Sequence, residues 1–244
     1  MKGKLILFPV PIGANEVNHS LPYWNLELLN SCHTFIVEEV RTARRFLKHV
    51  GYIHAIDDTQ FLTLNEHTVN QSNPESERSL EHYLDAIFEG ENIGLLSEAG
   101  LPCVADPGAL ITCIAQRKNI EIIPLVGPSS IMLSLMASGF NGQNFAFVGY
   151  LPVDKVERAK TIRNLELRAK REHQTQIFIE APYRNNQMLE SLSDTCCDDT
   201  MICVACDLTM ETQTILSRSA KQWRHERQNI NLHKRNTVFL IGER

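Results

Sequence analysis

Residues 92–108 read NIGLLSEAGLPCVADPG, and their order describes a ligand site. Ser97 and Glu98 place a hydroxyl and a carboxylate at the end of the apolar run Ile93–Leu96, and the two smallest residue types follow as Ala99 and Gly100. The small pair lets flat parts of a bound molecule lie against backbone, while the polar pair can hydrogen-bond at the rim. An apolar run without polar alternation suits a parallel strand covered on both faces. In open parallel sheets the ligand crevice lies beyond the carboxyl ends of the strands. Asp106 and Pro107 then read as the N-cap and first residue of a helix through Ala109, Leu110, Ile111, Ile114 and Ala115. The stretch points to a cofactor site and names no cofactor.

The elements that must position it follow from the same kind of reading. Lys4 to Phe8 is a first strand running into Pro9, Val10, Pro11, Ile12 and Gly13, a loop stiffened by two prolines. It holds one glycine and is no dinucleotide fingerprint. A helix through Leu21, Trp24 and Leu28 precedes a strand, Thr34 to Val37, that ends in Glu38, Glu39 and Arg41. Arg41, Arg44, Arg45 and Lys48 form a basic face on the next helix. Asn73 and Pro74 open an amphipathic helix with Leu80, Tyr83, Leu84, Ile87 and Phe88 at helical spacing and Gly90 at its end. A strand at Ile120 to Ile123 leads through Pro124, Leu125, Val126, Gly127 and Pro128 to Ser129 and Ser130 at a helix start. Ile131 to Ala137 is apolar almost all round, which predicts burial and suits a contact between two copies of the chain.

Strand and helix alternate up to this point, as a parallel α/β layer requires. From Phe145 the strand signals come in closer pairs suited to antiparallel neighbours: Phe145–Val148, Gln176–Ile179, Met201–Cys206, Thr212–Leu216 and Thr237–Ile241. A long charged helix runs from Val153 to about Glu172 and carries Lys155, Arg158, Lys160, Arg163, Arg168, Lys170 and Arg171, a second basic cluster in addition to the Arg41–Lys48 face. The sequence therefore predicts an α/β protein of two domains, a mostly parallel one over 1–140 and a mixed-sheet one over 141–244.

Composition narrows the function classes. With 244 residues, 43% of them hydrophobic, the chain can bury a large core, and its formal charge of −5 draws no polyanion globally. A nucleic-acid partner would need a local basic patch. The apolar run Leu5–Phe8 is too short for a signal peptide or a membrane span, which predicts a cytoplasmic protein. Seven cysteines without an export signal read as reduced thiols. Cys203 and Cys206 have zinc-like spacing, but Met201–Cys206 reads as a buried strand and Cys196 and Cys197 are adjacent, so no metal is expected.

Five segments in one order, PVPIG, EEVR, SEAGLPCVADPG, PLVGPSS and FIEAPYR, resemble the tetrapyrrole-methylase superfamily of S-adenosylmethionine-dependent methyltransferases. Within it they are most similar to the bacterial 16S rRNA 2′-O-ribose (cytidine) methyltransferase branch, whose pattern S-D-A-G-x-P-x-x-x-D-P-G the central segment follows. The resemblance implies a homodimer with S-adenosylmethionine folded into a cleft between two domains. It assigns to the cofactor Ser97, Glu98, Ala99 and Gly100, Val104 beside the adenosine, Ser129 and Ser130, Pro11, Ile12 and Gly13 at the entry, and Ala181, Tyr183 and Leu208. Departures fall on the acceptor side. Glu38, Glu39, Val40 and Arg41 stand where the branch reads E-D-T-R, and Leu64 precedes Asn65 and Glu66 where it has histidine. Met210 replaces a common lysine, and the sequence ends at Arg244, before the branch's small C-terminal extension.

Methyl transfer from a sulfonium is an in-line displacement in which a protein chiefly supplies alignment. A ribose hydroxyl is a poor nucleophile, so a general base helps, and Glu39, Glu66 and His67 are the candidates. Arg41, Arg44, Arg45 and Arg184 are candidates to hold substrate phosphate. Ribosomal RNA is the expected acceptor. The alternatives are another RNA, a protein or a tetrapyrrole-like small molecule as acceptor, and a cofactor-binding module without catalysis.

Overall fold

A computed structural model describes residues 2–13, 20–65 and 80–243. They form two compact units, Met1–Ser129 and Ser130–Arg244.

The first unit is a parallel sheet covered on both faces. Its strands are β1 (Leu5–Phe8), β2 (Cys32–Val37), β3 (Gln60–Thr63), β4 (Asn92–Leu96) and β5 (Ile122–Pro124), in the order β3-β2-β4-β1-β5. All pairings are parallel. Alternate residues along each strand go to opposite cores. Leu5, Ile36, Ile93 and Leu95 pack with Leu84, Ile87, Ile111 and Ile114. Ile6, Phe8, Phe35, Val37 and Leu96 pack with Leu29, Ala43 and Leu47. The helices are α1 (Tyr23–Leu29), α2 (Val40–His49), a short α3 (Asp85–Phe88) and α4 (Ala109–Arg117). The predicted helix opening at Asn73 and Pro74 begins outside the described residues. Its described end is a 3-10 turn, Glu81–Leu84, followed by α3, with Leu80, Leu84 and Ile87 buried and Phe88 exposed.

The second unit is a mixed sheet in the order β6-β7-β10-β8-β9, with β6 (Phe145–Tyr150), β7 (Thr175–Ile179), β8 (Met201–Cys206), β9 (Thr214–Ser219) and β10 (Thr237–Gly242). β6 pairs with β7 in parallel, and the other pairings are antiparallel. α5 (Ser130–Ser138) covers one face, where Leu135 and Phe140 meet Ile177, Cys203, Val238 and Leu240. α6 (Lys155–Glu172), α7 (Asn185–Thr195) and α8 (Ala220–Glu226) cover the other around Phe178, Phe239 and Trp223. Cys203 and Cys206 are buried within β8, and burial pushes the Cys203 thiol up to about 11.

Two expectations differ from this arrangement. The sequence boundary near Asn141 assigned α5 to the first domain, whereas its contacts with β8, β9 and β10 group it with the second unit. α5 was also expected to be buried all round. Ser134, Leu135 and Ser138 are buried, but Met132 and Met136 are exposed, because only one face of α5 meets the sheet. Among the described residues no helix is long and apolar enough to cross a membrane.

Gly94 in mid-β4 marks a tight point of the first core. A Cβ there would lie 2.5 Å from the Phe35 ring and 3.1 Å from Phe8. Gly94→Ala should therefore lower stability by about 1–3 kcal/mol in urea unfolding, the usual range for overpacking. An unchanged midpoint would contradict this packing.

Candidate functional site

The carboxyl ends of β1, β4 and β5 deliver three loops to one place. Val10 and Gly100 exchange two backbone hydrogen bonds, each 2.9 Å, which ties the loop after β1 to the loop after β4. Gly100 has φ +77°, and a Cβ on it would lie 3.2 Å from Ile12 and 3.6 Å from the Pro128 carbonyl oxygen. Glycine fits for both reasons. Gly127 is pressed against Pro9, so closely that a Cβ would fall 2.1 Å from the proline Cβ. Buried Asn25 on α1 donates to the Val126 carbonyl at 2.8 Å and braces the third loop.

These contacts give the SEAG residues structural roles of their own. Ser97 is buried, and its hydroxyl donates to the Gly100 carbonyl at 3.0 Å, closing the turn instead of lying at the rim. Gly100 serves loop-to-loop packing. Glu98 and Ala99 are the exposed tip, and Pro11, Ile12 and Gly13 are half-buried alongside. Val104 is exposed farther along, between Cys103 at φ 67° and Ala105 at φ 61°. Ser129 closes the first unit and Ser130 begins α5 in the second, both half-buried.

Asp106 holds that left-handed turn. Its Oδ1 accepts from the Cys103 amide at 2.9 Å and the Gly108 amide at 2.7 Å. The predicted helix start moves as a result: α4 begins at Ala109 with Gly108 as N-cap, and Asp106 clips the loop two residues earlier. Its other oxygen is buried with no partner among the described residues, beside a cavity of about 10 Å³ lined by Glu38, Leu64 and Pro107 among others. Burial raises the Asp106 pKa, opposed by the two amide bonds.

On the acceptor side, Glu39 is the N-cap of α2, accepting from the Arg41 amide at 3.0 Å. Glu39, Arg41, Arg44, Arg45 and Lys48 line one groove of about 530 Å³. Arg44 also pairs with Asp57. Glu66 and His67 lie outside the described residues.

In the second unit β7 and β8 both run antiparallel to β10, so their following loops lie at the same sheet end. This groups Ala181 and Tyr183 with Leu208. Tyr183 is exposed and Leu208 buried. Arg184, a candidate to hold a phosphate, donates from Nε and Nη2 to Glu180 Oε1 at 3.0 and 2.6 Å. Sequence reading missed the braces beneath these loops. Asp207 Oδ2 accepts from Arg235 Nε at 2.7 Å and Thr212 Oγ1 at 2.9 Å. Burial alone would raise the Asp207 pKa, but the Arg235 and Thr212 bonds hold it below the usual value.

A parallel sheet with interlocked strand-end loops, followed by a mixed sheet, defines an α/β protein organised to receive a ligand at strand ends. The chain belongs to the tetrapyrrole (corrin/porphyrin) methylases, a family of S-adenosylmethionine-dependent methyltransferases, whose model matches residues 20–222. Ribosomal RNA small subunit methyltransferase I of Bacillus subtilis (strain 168) is 30% identical over 229 residues, 93% of this chain and 72% of that protein. The protein of the same name from Halalkalibacterium halodurans is 28% identical over 191 residues, 78% of this chain. The chain spans only 60% of that relative's length. The crystal structure of the methyltransferase CobJ matches with a TM-score of 0.61 at 16% identity, covering 99% of this chain and 94% of CobJ, a likeness of fold.

The Asp106 clip has a pH signature. Because its folded pKa is raised, its contribution to stability falls as pH rises from the ordinary 3.8 through the raised value. Asp106→Asn keeps the acceptor without the buried charge, so its stability relative to the parent should grow over that window and then level off. Asp106→Ala, which strands two amides, should lose about 1–3 kcal/mol at neutral pH. Urea unfolding from pH 4 to 8 checks both, and identical pH profiles for parent and Asp106→Asn would contradict the assignment.

Proposed function

We propose that this chain transfers a methyl group from S-adenosylmethionine to ribosomal RNA, at a ribose 2′ oxygen. The observation that carries the reading is the interlocked platform at the ends of β1, β4 and β5 in the same unit as a basic groove along α2. The names of the relatives support the acceptor, and the EEVR and SEAG segments support the ribose branch.

The residues present fit the cofactor, since an exposed Ala99 tip on a rigid turn gives a flat group backbone to lie on. Glu98, Ala99, Pro11 to Gly13 and Val104 of the first unit would hold it. When bound, the cofactor supplies an electrophilic methyl on sulfur. The chain's own work is alignment and proton handling. Arg41, Arg44, Arg45 and Lys48 hold the RNA backbone by phosphate contacts that carry no sequence information. Glu39 is the described candidate base, because Oε1 caps α2 while the other oxygen makes no hydrogen bond among the described residues and is left to take the hydroxyl proton. The exposed Met132 and Met136 of α5 favour the homodimer reading.

Incubation with labelled S-adenosylmethionine and small ribosomal subunits lacking the modification should label RNA on a ribose. The double variant Arg44→Glu, Arg45→Glu should lose transfer at least tenfold at low salt while keeping cofactor affinity, the loss shrinking as salt rises. Label entering protein or a small molecule would overturn the acceptor. Full transfer by the variant would remove the α2 groove.

A further inference from the structure

We propose that the second unit carries a separate phosphate-binding pocket, built around Arg158 between the start of α6 and the face of α7. Arg158 is 6% exposed, yet no carboxylate lies within ion-pair distance of it among the described residues. Its Nε donates to Ser191 Oγ and its Nη1 to the Val153 carbonyl, both at 3.1 Å. The remaining terminal nitrogen, Nη2, has no hydrogen-bond acceptor among the described residues. A guanidinium taken from water without a counter-charge is unfavourable unless an anion completes it. The two neutral bonds fix the planar fork, which is the geometry that recognises a phosphate.

Arg158 lines a cavity of about 450 Å³ with Lys155, Arg184, Gln187, Glu190 and Asp194. The two acids do not cancel its charge. Asp194 pairs with Arg227 at 2.7 Å, and Arg184 is itself matched by Glu180. Lys155 and Arg158 are left against Glu190. Asp154 is turned away, its Oδ1 accepting from the Val156 and Glu157 amides at 3.0 Å. The positive end of the 18-residue α6 adds to the same potential. The class of ligand is a phosphate group, either a small phosphate or a phosphodiester of an RNA. The RNA source rests on the proposed acceptor, and the pocket itself does not.

The test is an NMR titration of the full-length ¹⁵N-labelled chain with inorganic phosphate and with a short oligoribonucleotide, at matched ionic strength. Saturable shifts of the Arg158 Nε–H and of backbone amides at Lys155 and Ser191 are expected with at least one of them. Saturation by phosphate alone assigns a small-molecule source, and much tighter saturation by the oligoribonucleotide assigns the RNA. Lys155→Glu alters an exposed residue and should weaken binding about tenfold, and Arg158→Gln should abolish it. No saturable shift with either probe overturns the proposal, and so does binding unchanged in both variants. The readout involves no methyl transfer, so a chain that binds phosphate here but labels no RNA contradicts the proposed reaction and leaves the pocket standing.

Discussion

The first unit depends on the exchange of two backbone hydrogen bonds between Val10 and Gly100. β1 and β4 are adjacent and parallel, so their loops leave the sheet side by side and would expose two sets of peptide groups. Pairing one residue from each satisfies those groups and fixes the distance between the loops. The pairing requires φ +77° at residue 100, and glycine meets it without strain. Ser97 closes the same turn from within, and Gly127 lets Pro9 settle against the loop from β5. A ligand platform here is rigid because neighbouring loops hold each other, and rigidity lowers the ordering cost of binding.

The second unit reaches the same end by side chains. Arg235, just before β10, reaches Asp207 and the Thr212 carbonyl, and its own carbonyl accepts from buried Asn185 at 2.6 Å. The neighbouring Lys234 amide donates to the Pro182 carbonyl at 2.9 Å. The entry into β10 thus staples the loops after β7 and β8, which carry Ala181, Tyr183 and Leu208. Glu180 and Arg184 stiffen the first of them from below.

Much of this was legible in the sequence, for identifiable reasons. Apolar runs placed β1, β4 and β8 almost to the residue, because strands buried on both faces leave no polar gap. β3 was not read: Gln60 to Thr63 is a short, half-buried edge strand with little periodicity. The α2 face was read as basic and is so, but Glu39 gave no sign that it caps the helix. Asp106 sits where a cap is expected, yet the left-handed residues at 103 and 105 move the clip ahead of the helix. Asn25 and Arg235 were invisible, since the loops they brace lie 23 or more residues away and spacing in sequence carries no trace of that. Arg158 was legible as part of the basic helix, but its burial against Ser191 was not.

Hydrogen exchange of the full chain with and without S-adenosylhomocysteine distinguishes a ligand platform from a merely structural interlock. Saturating ligand should slow exchange at residues 10–13, 98–100 and 126–129, at the carboxyl ends of β1, β4 and β5. Amides at the opposite, amino-terminal end of these strands, at Gly3, Glu91 and Glu121, should be unaffected. Saturable binding that leaves the three loops unchanged, or that protects the opposite strand ends instead, would contradict it.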